Sequence, residues 1–134
     1  NYKGLPYLML DYPRIFDHST IFAIRTMFWW GNFFSITLHL SGDYKNKFEK
    51  KLTTHFPILT KNNFFYCVNE DQWEHYFEDD NYIAFNKSSP IDFEMLLKEK
   101  SFIKLAAKIS LHQWDDATDM LFKYFRQIIE MLDS

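Results

Sequence analysis

Arg25 makes the strongest chemical demand in the sequence, because it sits inside the apolar run Ile21 to Trp30. A guanidinium among such neighbours has to be paired, since an unpaired buried charge costs several kcal/mol. Asp11, Arg14 and Asp17 lie close to it in sequence, so a salt bridge with Asp11 or Asp17 is the structural expectation. The chemical alternative uses the two-pronged donor geometry of arginine to anchor a carboxylate or phosphate.

His39 is the second candidate, flanked at strand spacing by Thr37 and Ser41. An imidazole can serve as a base or a metal ligand, but no second ligand stands at strand spacing, and a satisfied half-buried histidine needs none. Cys67, among Phe64, Phe65, Tyr66 and Val68, reads as a small buried hydrophobe; a thiolate role would require a base beside it. The acidic block Glu70 to Asp80 places Glu74 four residues before Glu78 and next to His75. On a helix that spacing could hold a metal, although a solvated helix face produces the same pattern. No metal site is assigned.

The elements that position these residues are organised by the stretch Ile21 to Leu40. Two runs rich in aromatic and β-branched residues flank Gly31-Asn32, a dipeptide suited to a two-residue hairpin turn. With that turn, Trp30 faces Phe33, Met27 faces Ile36 and Arg25 faces Leu38. One face then carries Ile21, Ala23, Met27, Trp29, Phe34, Ile36, Leu38 and Leu40, with Arg25 its only charge. The other carries Phe22, Ile24, Thr26, Phe28 and Trp30 opposite Ser41, His39, Thr37, Ser35 and Phe33. The first face reads as core. The second, apolar on one strand and hydrogen-bonding on the next, suits an amphipathic occupant.

Elsewhere, Gly4 to Asp11 reads as a strand that Tyr12-Pro13 ends, followed by a turn through Asp17, His18, Ser19 and Thr20. Asp43 is the expected N-cap of a helix to about His55, with Tyr44, Phe48 and Leu52 on one stripe and lysines on much of the rest; Pro57 closes that region. Phe64 to Val68 is a short strand. Asn69 caps a helix from Glu70 to about Phe77, and a further strand spans Tyr82 to Phe85. Ser89-Pro90 starts a helix to about Glu99. Residues 102–111 alternate as a strand does, against a nearly equal helical stripe, and strand is the reading adopted. A final helix runs from about Asp115 to Leu132. The expected fold is α+β: a single domain over 1–134, with a largely antiparallel sheet built on the 21–40 hairpin and helices on one face.

At 134 residues the chain suffices for one core, and 47% hydrophobic with 25% charged residues is a globular balance. A net charge of −3 gives no general attraction to nucleic acid or anionic membrane. Lysines and aromatics are not interleaved on one strand face, so no nucleic-acid partner is expected, and no membrane partner either. Three glycines, none clustered, exclude a phosphate loop and a dinucleotide fingerprint, and no cofactor is expected. A single cysteine excludes an internal disulfide framework and fits a reducing, cytoplasmic setting. A start at Asn1 fits a fragment or a processed product as well as a whole chain.

The functional expectation is a non-enzymatic protein-interaction or small-ligand-binding domain, with Arg25, Phe28, Trp30, Thr37 and His39 as the binding residues and no catalytic residue assigned. Its occupant would be a small ligand, a peptide or a second copy of the chain. The alternative is a small enzyme using a polar cluster around His39.

Overall fold

The computed structural model describes residues 1–17 and 20–134, with Phe16 and Asp17 described as backbone only. Six strands form one sheet: β1 (Tyr7–Asp17), β2 (Thr20–Trp29), β3 (Phe33–Ser41), β4 (Phe65–Cys67), β5 (Tyr82–Ala84) and β6 (Phe102–Ser110). Their spatial order is β1-β2-β3-β6-β4-β5, and every pairing is antiparallel. The sheet therefore centres on β3 and β6, so only the second strand of the 21–40 hairpin belongs to the central pair. Four helices complete the α+β domain: α1 (Asp43–Thr54), α2 (Phe56–Lys61), α3 (Pro90–Glu99) and α4 (Ala117–Asp133).

The hairpin turn contains three residues, Trp30, Gly31 and Asn32, not two. Asn32 N–H donates to the Trp29 carbonyl at 2.9 Å, and the Asn32 side-chain amide donates to the Trp30 carbonyl at 3.0 Å. Gly31 supplies the positive φ, 76°, that such a loop requires. The pairing is thus Trp29 with Phe33, Arg25 with Thr37, and Ala23 with His39. One residue of slip reassigns every side chain of one strand relative to the other. The two leucines and the isoleucine of β3 now share a face with Phe22, Ile24 and Phe28, while Ser35, Thr37, His39 and Ser41 share the opposite face with Arg25.

The first of these faces is the main core. Ile24, Ile36, Leu38, Leu40, Ile103 and Leu105 lie at 2% exposure or less beneath Leu52 of α1, Leu59 of α2, Phe93 and Leu97 of α3, and Ile128 of α4. Burying each such side chain contributes about 1.5–3 kcal/mol. The strand reading of 102–111 holds: Ile103, Leu105, Ala107 and Ile109 point to the helices, and Lys104, Ala106 and Lys108 away from them. Ser89 caps α3 as its sequence implies, its hydroxyl accepting from Asp92 N–H at 3.2 Å.

Other expectations are corrected. Pro13 does not end β1; the strand passes through it by a register shift between Asp11 and Arg14, which an outer strand tolerates because one side of it needs no ladder. Pro57 opens α2 instead of closing the region. His18 and Ser19, read as part of a turn, lie outside the described residues.

The helix expected from Glu70 to Phe77 is an irregular segment that lies across the second face of the sheet. Side chains take the backbone hydrogen bonds a helix would have used. Asn69 Oδ1 accepts from Asp71 N–H at 3.0 Å, and Asp71 Oδ1 from Trp73 N–H at 2.9 Å. The carbonyls of Gln72 and Glu74 both accept from Lys104 Nζ at 2.7 Å. A sheet lysine has claimed what the helix ladder needed.

Candidate functional site

The five residues singled out from the sequence divide between the two faces. Arg25, Thr37 and His39 lie together beneath the irregular segment, at 4%, 6% and 0% exposure. Phe28 is half-buried on the helix-bearing face, and Trp30 is 60% exposed in the hairpin loop. The one-residue slip causes the division.

Beneath the segment most of the polar groups are tied to one another, Arg25 Nη1 and His39 Nδ1 being buried without a hydrogen-bond partner. Arg25 Nε donates to Asp11 Oδ1 at 2.8 Å and its Nη2 to Oδ2 at 3.4 Å, so the expected pair with Asp11 forms; the side chain of Asp17 is not among those described. Trp73 covers both Arg25, at 5.8 Å, and His39, at 5.2 Å between rings. His39 Nε2 donates to Gln72 Oε1 at 2.7 Å. Burial, reinforced by the charges of Lys104 and Arg25, pulls His39 down to about 3, so the ring is neutral at ordinary pH. His75 is lowered to about 3 by the same causes. Burial also brings the Lys104 ammonium down to about 8.

The rest of this layer closes the segment down. Thr37 lies beside the hydroxyl of the fully buried Tyr82, whose pKa burial raises. Tyr2 donates to Glu74 Oε2 at 2.7 Å and accepts from His75 N–H at 3.0 Å, while its ring packs against Trp29 at 4.9 Å. Phe77 stacks on Tyr82 at 4.7 Å. The Cys67 thiol is buried and its pKa raised by that burial, as an inert core cysteine requires. Because Glu74 and Glu78 are not on a helix, the spacing argument for a metal no longer applies. Among the described residues, no group of three His, Cys, Asp or Glu side chains stands placed to hold a metal ion.

Sequence reasoning missed Lys104, Gln72, Tyr2 and Tyr82. Lys104 had left a signal: a lysine flanked by Ile103 and Leu105 in an alternating run, on the same side of the sheet as His39.

On the helix-bearing face, α4 covers β3 and β6 but leaves β1 and part of β2 bare. There a groove of about 380 Å³ opens between the sheet and α4, lined by Leu10, Tyr12, Thr26, Ile36, Thr118, Leu121, Phe122 and Phe125. Six linings are apolar or aromatic; Thr26, Thr118 and Tyr12 contribute the hydroxyls. Leu10, Tyr12 and Phe122 are 67%, 73% and 63% exposed, an unusual state for large apolar side chains that adjoin one another. Beside the groove, Phe28 packs on Phe34 at 4.9 Å and touches Trp30 and Trp114 at 6.0 and 5.8 Å. A second cleft, of about 500 Å³, lies at the other end of the irregular segment among Lys3, Lys108, Glu78 and Asp80; it is mixed in charge and open.

No family model matches the chain, and neither a curated protein nor a solved structure matches it at a significant level. Among the described residues no helix is long and apolar enough to cross a membrane.

Proposed function

We propose that this is a binding domain whose ligand is a small molecule with an apolar body and one hydrogen-bonding end, held in the groove between β1–β2 and α4. The observation that carries this reading is a groove of about 380 Å³ walled by Leu10, Tyr12, Ile36, Leu121, Phe122 and Phe125, whose linings offer no charge and only the hydroxyls of Thr26, Thr118 and Tyr12. That volume and that ratio of apolar walls to a few polar groups are those of small-ligand sites. Thr26 and Thr118 fix the polar end, and Phe28, Trp30 and Trp114 extend the apolar surface at one side.

The cluster around His39 supports a structural role instead. His39 is fully buried, its one N–H is committed to Gln72, and the cations beside it are committed to Asp11 and to two carbonyls. The buried free thiol of Cys67 supports a reducing compartment such as the cytoplasm as the setting.

The reading is tested with Nile red, titrated into the protein and then displaced by decanoate. Saturable binding is expected, with Phe122→Ser or Tyr12→Ser weakening it about tenfold, the equivalent of roughly 1.4 kcal/mol. Both side chains are mostly exposed, so stability should be nearly unchanged. Dye binding that is absent, or that is indifferent to both substitutions, would refute the groove as the site.

A further inference from the structure

The free edge of the sheet carries a second surface, which adjoins the groove at Leu10 and Tyr12. β1 is an outermost strand, eleven residues long, and among the described residues no strand pairs with its outer side. Proteins usually blunt such an edge with charge, proline or a bulge. Here the prolines lie outside the run, Pro6 just before it and Pro13 with the register shift after Asp11, and Tyr7-Leu8-Met9-Leu10 between them contains no charge. Asp11, the first charge, is already committed to Arg25.

We propose that a second copy of this chain pairs with β1 edge to edge, antiparallel, about a two-fold axis at Met9. A strand laid against itself in that register is self-complementary, as a two-fold interface must be. Leu8 falls opposite Leu10 of the other copy on the groove side, and Tyr7 falls opposite Asp11 on the other side. Two six-stranded sheets become one continuous sheet, and the unpaired ladder groups of both edges are satisfied together.

The area agrees with a dimer. Leu8 is 71% exposed, Leu10 67%, Tyr12 73%, Trp30 60% and Tyr7 45%. Side chains of this size at that exposure offer at most on the order of 700 Å² per chain, of which edge pairing covers a part, in the range of a weak, concentration-dependent dimer. Leu10 and Tyr12 also line the groove, whereas Tyr7 and Leu8 do not, so Leu8 is the residue that separates the pairing from the groove reading.

Sedimentation velocity from about 1 to about 200 µM tests the proposal. The unaltered protein should show a concentration-dependent monomer–dimer equilibrium. Leu8→Lys, and equally Leu8→Glu, should weaken dimerisation at least about thirtyfold, since either charge is buried against its neighbours in the pair. Leu8 is mostly exposed in the monomer, so circular dichroism and thermal melting of the dilute protein should not change. Phe122→Ser should leave the dimer intact. A protein monomeric across the whole range would overturn the proposal, as would a dimer that survives both Leu8 substitutions. So would a dimer lost on Phe122→Ser, which would mean that the copies associate through the groove.

Discussion

Ala23 of β2 lies directly across from His39 of β3, and this single pairing decides which face of the sheet each candidate residue occupies. A two-residue turn would have set Ile24 there. With Ala23 in place, the small methyl leaves room for the imidazole under Trp73, and Ile24 is released into the main core at 1% exposure.

Gly31 is the residue that permits this register. Its φ is 76°, and a Cβ added there would meet nothing within 4 Å, so the penalty for substitution is backbone strain alone. Gly31→Val should cost about 1–3 kcal/mol in urea denaturation. Gly31→Asn should cost clearly less, because asparagine tolerates the left-handed region. Equal losses for the two would mean that the position is sensitive for some other reason.

The Arg25–Asp11 pair is nearly buried, the two side chains being 5% and 14% exposed. Arg25→Met should lower stability by about 3 kcal/mol, mainly by stranding the carboxylate. The double variant Arg25→Met, Asp11→Leu should recover at least half of that loss. If the double variant is as unstable as the sum of the singles, the two residues are not coupled as described.

How far the sequence could be read follows from where the information is local. Ser89-Pro90 and the stripe Tyr44, Phe48, Leu52 specify helices by their own chemistry, and α3 and α1 form, although Asp43 is the first residue of α1 and not its cap, which is Gly42. The alternation of 102–110 is likewise local, and β6 follows it. The α+β class and the antiparallel sheet were legible on this basis. The loop of 69–80 was not, because its helix-like composition is overridden by Lys104, more than twenty residues downstream, reaching two of its carbonyls. The hairpin register was missed because Asn-containing turns of two and three residues share one sequence signature, and only packing against the rest of the sheet chooses between them. For the candidate residues the consequence was large: Arg25, Thr37 and His39 are together, while Phe28 and Trp30 belong to the other side.

Lys104 holds the irregular segment down, so its removal should be felt there first. Lys104→Met leaves the carbonyls of Gln72 and Glu74 without their donor, at a cost of about 2–4 kcal/mol. Amide exchange over residues 70–77 should accelerate more than exchange in β3 or β6. Uniform acceleration over the whole chain would indicate that the segment has no separate stability.

His39 ties stability to pH. Its folded-state value of about 3 lies below the ordinary histidine value of 6.5, so below about pH 6.5 the unfolded chain takes up a proton that the folded chain refuses. The contribution is fully present above that pH and is lost as pH falls toward 3, with a slope approaching ~1.4 kcal/mol per pH unit for each such histidine. His75 adds to the same trend. Urea midpoints measured between about pH 7 and about pH 4.5 should fall steadily, and His39→Gln should flatten part of the fall. A midpoint independent of pH across that window would contradict the burial of both rings.

Which face of the sheet takes a ligand is decided most directly by amide chemical-shift mapping with decanoate. The groove reading predicts saturable shifts at Thr26, Thr118, Leu121 and Phe122, with Thr37, His39 and Lys104 unmoved. Shifts gathered instead at His39, Lys104 and residues 69–80 would contradict it and place the ligand beneath Trp73.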